Sequence, residues 1–239
     1  MLKLSIVTVC FNSEKGIAKT IKSILLQEFN GFEHIIIDGG SRDRTNQIIK
    51  RNYKTYKKNS IKLIHVSEPD KGIYDAMNKG TKLSNGEYVL YLNSGDQLWS
   101  KNTLLEVFQH KKLKKRFCVL YGDNINGKEF KRPQPIKYLK SGIMFGNHQS
   151  MFFNKKKLGH DLYYNEYLKI NGDYDLLNRI FIKKGEQTFL YLKKTISIYE
   201  GGGISSKPSY NRRKEKYKLL YKNYGFRGVL RGIIYKLKW

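Results

Sequence analysis

Short apolar runs alternate with amphipathic runs through the first half of the chain, and this alternation predicts an α/β fold. The apolar runs are rich in β-branched residues, which is typical of strands buried inside a sheet. They lie at 3–9, 33–37, 61–66 and 87–92. Between them, apolar residues recur at helical spacing, which predicts helices near 14–27, 43–57 and 72–83. Strands that alternate with helices predict a mostly parallel central sheet with helices on both faces.

The second half of the chain has a less regular pattern. Apolar periodicity predicts helices near 101–112 and 172–184. It predicts extended segments near 117–121, 149–153 and 187–199. The segment 122–147 contains Gly, Pro and Lys, a composition typical of loops. From about residue 208 the chain is basic and helical in pattern.

Charge is the unusual feature of the composition. Lys and Arg total 46 against 20 acidic residues, a formal net charge of +26. Such a surface attracts nucleic acid, anionic lipid headgroups or phosphorylated substrates, although a lysine-rich genome would produce the same balance. The two cysteines, Cys10 and Cys118, stand in apolar strand-like runs without metal-binding spacing. We therefore expect two buried thiols.

Polar side chains stand where three of the predicted strands end. Asn12 follows the first, Asp38 ends the second, and Asp96 follows the fourth. In open α/β sheets, ligands bind outside the carboxyl ends of the strands. One Asn or Asp at such a point is commonly a turn residue that bonds nearby backbone, but three at equivalent ends favour a shared cleft.

Several motifs occur in an order that resembles a known family. They are TVCFNSE (8–14), IIIDGGSRDRT (35–45), EPDKGIYDAMNKG (68–80), GEYVLYLNSGD (86–96), GNHQSMFF (146–153), NGDYDLLNR (171–179) and GGGIS (201–205). Together they resemble family 2 glycosyltransferases of the GT-A fold, in particular the bacterial members that build surface polysaccharides of the colanic-acid type. The resemblance covers about residues 3–206 and implies an α/β enzyme that uses a nucleotide-diphosphate sugar.

The resemblance implies a set of donor-binding residues. Asp38 matches the family's acidic residue that accepts a hydrogen bond from the nucleobase, usually uracil, which offers an N–H donor. Lys71 would offset diphosphate charge, in a segment whose acidic and amide side chains also suit a solvated helix start. The residues implied to contact the donor are Thr8, Asn12, Asp38, Asp70, Lys71, Asp75, Asn78, Asn93 and Ser94.

Asn93-Ser94-Gly95-Asp96 occupies the place of the family's Asp-x-Asp metal motif. The resemblance implies that Asp96 binds a divalent cation, Mn²⁺ or Mg²⁺, which bridges the donor phosphates. This sequence departs from the commoner acidic pattern, because Asn93 and Gly95 stand where relatives often have Asp. We therefore expect weak metal affinity in the absence of donor.

The resemblance assigns the general base to Asp173. In the family this carboxylate removes a proton from the acceptor hydroxyl, which attacks C1 of the sugar and inverts its configuration. Gly172 stands where the family usually has Glu, Asp175 is the alternative base, and Asp173 also suits a helix N-cap. His148 and Gln149 are implied to lie near the donor sugar or the acceptor, although a hydrogen-bonded structural role also suits His148.

The C-terminal residues predict an amphipathic helix. We expect one α/β domain over 1–206, with a nucleotide-sugar half (1–97) and an acceptor half (98–206), and a basic helical tail over 207–239. One face of the tail carries Phe226, Val229, Leu230, Ile233, Ile234 and Leu237, with Tyr235 and Trp239 beside it. Such a helix suits an anionic membrane surface, although it would also suit packing on the domain or on a second subunit.

The sequence therefore predicts an inverting glycosyltransferase that uses a UDP-sugar. The expected acceptor is a glycan or a polyprenyl-diphosphate-linked glycan. No signal peptide and no transmembrane helix are predicted, so we expect a cytoplasmic protein at the inner face of the cell membrane. The alternatives are a polyanion-binding protein and a family member that binds nucleotide without transferring sugar. We expect no nucleic-acid partner, because zinc-finger spacing and an RRM signature are lacking and acidic residues stand at the strand ends.

Overall fold

The computed structural model describes residues 2–115, 117–201 and 209–237. Its strands are β1 (Leu4–Cys10), β2 (Phe32–Asp38), β3 (Lys62–Ser67), β4 (Tyr88–Tyr91), β5 (Gln97–Leu98), β6 (Val119–Asn126), β7 (Glu129–Lys131), β8 (Met151–Asn154) and β9 (Phe189–Tyr199). Its helices are α1 (Ile17–Leu25), α2 (Thr45–Arg51), α3 (Tyr53–Lys58), α4 (Ile73–Leu83), α5 (Thr103–Phe108), α6 (Lys155–Leu158), α7 (Gly172–Lys184) and α8 (Tyr210–Leu237). Short 3₁₀ turns lie at Lys111–Lys115, Ile136–Ser141, His148–Ser150, Gly159–Leu162 and Glu186–Thr188.

The strands form one sheet in the order β3-β2-β1-β4-β8-β6-β9-β5, with β7 paired to β6. The first four strands are parallel, as predicted, and Cys10 of β1 lies opposite Asp38 of β2. The sheet as a whole is mixed, because β8 runs antiparallel to both β4 and β6. The parallel half therefore places the ends of β1, β2 and β4 along one edge.

The predicted helices cover both faces of the sheet. Alternate residues of a strand point to opposite faces, so Val7 and Val9 of β1 pack with α4 and α7, whereas Leu4 and Ile6 belong to the apolar cluster of the other face. α1 and α2 pack on that second face through Ile21 and other apolar side chains. The α/β architecture predicted from the sequence is thus confirmed.

The C-terminal helix α8 is broken at Gly225, which has φ 62° and ψ −157°. Beyond this break the second segment returns along the first, since a Cβ on Gly232 would lie 2.9 Å from Leu220 and 3.5 Å from Tyr217. Leu220 itself is fully buried in the core of the domain. The tail is therefore a helical hairpin that packs on the domain, and the position predicted for the domain boundary, 206/207, lies outside the described residues.

The second segment divides the predicted apolar face into two. Val229 packs against the core, which agrees for this residue with the alternative that the apolar face packs on the domain. The large side chains that stay exposed are Phe226, Leu230, Ile233, Ile234 and Leu237. Trp239 lies outside the described residues. Within the described part of the chain, no helix has the length and apolarity needed to cross a membrane.

Candidate active site

A cavity of about 620 Å³ lies at the edge of the sheet. It opens where β1 and β4 end, and the starts of α4 and α7 close its sides. Seven of the predicted site residues line it, namely Asn12, Asn93, Ser94, Asp96, His148, Gln149 and Asp173. Residues from distant parts of the chain therefore converge on one cleft, and two of the three strand-end residues, Asn12 and Asp96, are among them.

Asp96 forms the floor of this cavity and is 3% exposed. One carboxylate oxygen accepts a hydrogen bond from the backbone N–H of Glu200 (3.0 Å), and the other accepts one from Nε2 of Gln149 (2.9 Å). Thr20 holds the loop that carries Asp96, between β4 and β5, in place. Its Oγ1 donates to the carbonyl of Asp96 (2.7 Å) and accepts from the N–H of Gly95 (2.9 Å). Burial raises the pKa of Asp96 above its usual range, so its negative charge is poorly solvated.

Asp173 stands in the first turn of α7, and its carboxylate is paired with His148. The distance from Nδ1 of His148 to Oδ2 of Asp173 is 3.1 Å, and Nε2 of His148 lies 3.2 Å from the amide nitrogen of Asn93. Burial opposes charge on His148, yet the neighbouring carboxylate of Asp173 raises its pKa overall. The other oxygen of Asp173 is buried and meets no donor in hydrogen-bond geometry among the described residues. The nearby phenol of Tyr164 is also buried without a partner among these residues, and burial together with the Asp173 carboxylate raises the pKa of that phenol. The site therefore offers a bound hydroxyl an acceptor on Asp173.

The backbone before Asp173 is fixed by Tyr74 of α4. The phenol oxygen donates to the carbonyl of Ile170 (2.8 Å) and accepts from the N–H of Gly172 (2.9 Å). A Cβ on Gly172 would collide with the Tyr74 ring. This contact explains why glycine stands at 172, where the family usually has Glu.

Glu215 of α8 fixes the same segment from the opposite side. Its carboxylate accepts hydrogen bonds from the backbone N–H groups of Lys169 (2.8 Å), Ile170 (3.2 Å) and Asn171 (2.8 Å), and from the side-chain amide of Asn171 (2.8 Å). Burial works against ionisation, but these donors lower the pKa of Glu215 overall. Sequence reasoning missed this residue. Its one available signal is that Glu215 is the only acidic residue in the strongly basic tail.

Asp38 and Thr8 lie behind the cavity wall and do not line it. The carboxylate of Asp38 is fully buried and accepts from Ser67 Oγ (2.6 Å), Asn46 Nδ2 (2.7 Å) and the backbone and hydroxyl of Ser41. These donors lower the pKa of Asp38 although burial opposes ionisation.

Two contacts explain how these buried groups relate to the cleft. Ser41 Oγ accepts from the N–H of Asn12 (2.8 Å), so Asp38 supports the turn that brings Asn12 to the cavity. The hydroxyl of Thr8 donates to the carbonyl of Leu92 (2.8 Å) and lies 2.9 Å from His34, and Thr8 is fully buried. Thr8 is therefore turned away from any ligand in this cavity.

The remaining predicted residues also lie outside the cavity lining. Asp70 accepts from the N–H of Gly72 (2.9 Å), and Asp75 accepts from the N–H of Lys71 (2.9 Å), so these carboxylates shape the start of α4. Asn78 bonds the carbonyl of Tyr164 (3.0 Å). Asp175 pairs with Arg179 at 2.8 Å and is 4% exposed. These contacts are those of structural residues around the cleft.

A second cavity, of about 430 Å³, shares Asp173, His148 and Gln149 with the first. Its further walls include Tyr174 of α7 and Arg212 of α8. Asp173 and His148 thus stand between two cavities, which is the arrangement needed for a group that moves from one bound molecule to another.

The parallel half-sheet brings acidic and amide side chains to two adjoining cavities, an arrangement that suits an α/β enzyme. The chain belongs to glycosyl transferase family 2, whose sequence profile matches residues 5–172.

Curated relatives include mycobacterial proteins. A glycosyltransferase of Mycobacterium tuberculosis without an assigned role is 29% identical over 170 residues, which are 66% of this chain and 63% of that protein. The chain thus spans less than two thirds of that relative. A PGL/p-HBAD biosynthesis glycosyltransferase of Mycobacterium bovis is 29% identical over 205 residues, 84% of this chain and 78% of the relative.

Similar solved structures confirm the GT-A fold. Residues 1–349 of TarS from S. aureus, in complex with UDP-GlcNAc, superpose with a TM-score of 0.70 at 20% identity, over 91% of this chain and 64% of that one. The mannosyltransferase PcManGT from Pyrobaculum calidifontis, in complex with GDP-Man and Mn²⁺, gives 0.64 at 13% identity, over 97% and 73%.

Proposed function

We propose that the protein is an inverting glycosyltransferase that moves a sugar from a UDP-sugar to a glycan or lipid-linked glycan of a bacterial surface polysaccharide. The observation that carries this proposal is the shared position of Asp173 between two cavities, with Asp96 on the floor of the larger one. The larger cavity has the size needed for a nucleotide sugar, and the smaller one is open to an acceptor.

In this proposal the carboxylate of Asp173 is the general base. Its unpartnered oxygen accepts the proton of the acceptor hydroxyl while the hydroxyl oxygen bonds to C1 of the sugar. The bond from C1 to the diphosphate oxygen breaks on the opposite side, so the configuration at C1 inverts. His148 holds the second oxygen of Asp173 and orients the carboxylate. A positioned base of this kind accelerates a reaction roughly 10²–10⁴-fold.

The donor would lie along the wall formed by Asn12, Asn93 and Ser94. Asp38 would act at the base end, where a uracil N–H would have to replace one of the side-chain donors now bound to its carboxylate. The start of α4 would close over the nucleotide, and its shape would depend on Asp70, Lys71, Asp75 and Asn78. UDP is favoured because several of the similar solved structures hold UDP or a UDP-sugar.

A divalent cation would be held at Asp96. The residues present fit such an ion in part, because buried oxygens of Asn93 (Oδ1) and Ser94 (Oγ) have no hydrogen-bond partner among the described residues and belong to the oxygen type that Mn²⁺ and Mg²⁺ prefer. Phosphate oxygens of the donor would complete the coordination. When bound, the ion would neutralise charge on the departing nucleoside diphosphate.

The tail would place the enzyme at an anionic membrane surface on the cytoplasmic side. The exposed apolar face of its second segment stands beside the exposed cations Arg227 and Arg231, and this combination suits lipid headgroups. The smaller cavity reaches Arg212 on the first segment of the same hairpin. A polyprenyl-diphosphate-linked acceptor would therefore approach the site from the membrane side.

Two substitutions test the proposed reaction. Incubation with a panel of nucleotide sugars, Mn²⁺ and a membrane extract that contains acceptor should release nucleoside diphosphate and form labelled glycan. Asp173→Asn should lower transfer about 10²–10⁴-fold. Asp175→Asn is the matched change two residues further along α7, where it removes the ion pair with Arg179, and it should keep most of the transfer activity. Retention of transfer by Asp173→Asn would contradict the assigned base.

A further inference from the structure

Gly95 is the position at which this chain lacks the family's second acidic residue, and the space beside it is filled. Gly95 has φ +101°, and a Cβ built on it would lie 2.7 Å from Oε2 and 3.4 Å from Cδ of Glu200. The carboxylate of Glu200 therefore occupies the place toward which a side chain at 95 would point. Since Glu200 lies 105 positions further along the chain, no local motif reveals the substitution.

The fold holds Glu200 and Asp96 side by side. β5 follows Asp96 directly and pairs antiparallel with the end of β9, with Gln97 opposite Ile198. The backbone N–H of Glu200 then donates to Asp96 Oδ1 (3.0 Å), and both residues line the donor cavity. The strand pairing thus brings a second carboxylate to the loop that carries Asp96.

Other oxygens around this pair lack partners. Oδ1 of Asn93 and Oγ of Ser94 are buried and unbonded among the described residues, and both side chains line the same cavity. On its outer side the Glu200 carboxylate is paired with the ammonium of Lys19. Two like charges with unsatisfied neutral oxygens form an arrangement that a cation would stabilise.

We propose that Glu200 supplies the second carboxylate of the cation centre, in place of the acidic residue missing at Gly95. Lys19 holds this carboxylate when the cation is absent. This inference rests on the proposed metal role of Asp96, and it goes beyond that role by assigning a residue outside the motif.

The test measures cation affinity and not activity. Free Mn²⁺ is followed by electron paramagnetic resonance as the protein is titrated in the presence of UDP. Glu200→Gln and Asp96→Asn should each weaken Mn²⁺ binding about tenfold or more, because each removes a charged oxygen ligand. Glu14→Gln is the matched control, since Glu14 also lines the cavity but pairs with Arg44 at 3.1 Å. Its Mn²⁺ affinity should equal that of the unmodified protein.

The outcomes separate this inference from the proposed function. Loss in Asp96→Asn with unchanged affinity in Glu200→Gln would overturn the role of Glu200 and leave the metal role of Asp96 intact. Unchanged affinity in both variants, or absence of Mn²⁺ binding by the unmodified protein, would overturn both. Thermal unfolding without metal should be alike for Glu200→Gln and Glu14→Gln, and a large loss of stability in Glu200→Gln alone would show a structural role and contradict the proposal.

Discussion

At the scale of single residues, the strand-end pattern located the cleft but did not separate its lining from its supports. Asp96 and Asp173 line the cavity, whereas Asp38 is fully buried behind it. The difference is physical, because an Asp at a turn bonds whichever donors fold next to it, and the donors of Asp38 come from Ser41, Asn46 and Ser67. Glu200 and Glu215 were missed because the groups that they contact lie far away in the sequence, so no local pattern marks them.

Buried His34 makes a prediction at the same scale. Burial between Thr8 and Tyr56 lowers the pKa of His34 to about 3. Unfolded histidine takes up a proton below pH ~6.5, and the native residue does not. The unfolded state therefore binds more protons, and stability should fall as the pH drops below ~6.5, by up to ~1.4 kcal/mol per pH unit.

Urea unfolding at neutral and mildly acidic pH measures this slope. His34→Gln should remove the His34 part of the slope, whatever its effect on stability at neutral pH, because the amide does not titrate. Equal slopes in the unmodified protein and His34→Gln would show that His34 is not held neutral.

At the scale of elements, the sequence predicted most of the parallel half and less of the rest. The helix expected over 43–57 is two helices separated at Asn52, and the strand expected at 117–121 continues to Asn126. The segment 122–147, predicted as loops, contains a hairpin in which Asn126 pairs with Glu129 around Gly127 at φ 62°. The two-residue loop is Gly127-Lys128, and Gly at the first central position is a hairpin signal. The residues of β7 lack the apolar alternation that marks a strand, and all three are exposed.

The contact between Glu215 of α8 and residues 169–171, just before the proposed base Asp173, predicts a further effect on turnover. Glu215→Gln removes the charge that holds three backbone N–H groups ahead of Asp173, and hydrogen bonds to charged groups contribute about 1.5–3 kcal/mol each. We expect kcat to fall about tenfold or more with a smaller change in the apparent affinity for UDP, measured by steady-state kinetics and UDP titration.

The matched control for that change is Glu129→Gln, on the exposed hairpin, where the carboxylate pairs with Lys131. Its kcat should not change. A Glu215→Gln enzyme with normal kcat would mean that α8 supports the fold without positioning Asp173.

At the scale of the whole molecule, the positive charge and the exposed apolar residues of the tail both favour binding to an anionic membrane surface. The net charge of +26 favours anionic partners in general, and the tail adds exposed Leu230 and Ile234. Leu230→Ser combined with Ile234→Ser should lower flotation with vesicles of phosphatidylcholine and phosphatidylglycerol about tenfold or more, because each buried apolar side chain contributes about 1.5–3 kcal/mol.

Leu26→Ser combined with Ile182→Ser is the control. These side chains are similarly exposed but lie outside the tail, Leu26 just beyond the end of α1 and Ile182 on α7. This control should float like the unmodified protein. The control and the unmodified protein should both release from the vesicles at high salt. Equal flotation by the two double variants would show that charge alone binds the vesicles, without the tail.

The most direct test of the account is calorimetric titration of UDP in the presence of Mn²⁺. It uses the unmodified protein, Asp173→Asn and Asp96→Asn, because these two carboxylates of one cavity have different proposed tasks. We predict that Asp173→Asn binds UDP as the unmodified protein does, and that Asp96→Asn binds it about tenfold or more weakly. Unchanged affinity in Asp96→Asn, or an equal loss in both variants, would contradict this division of the cleft.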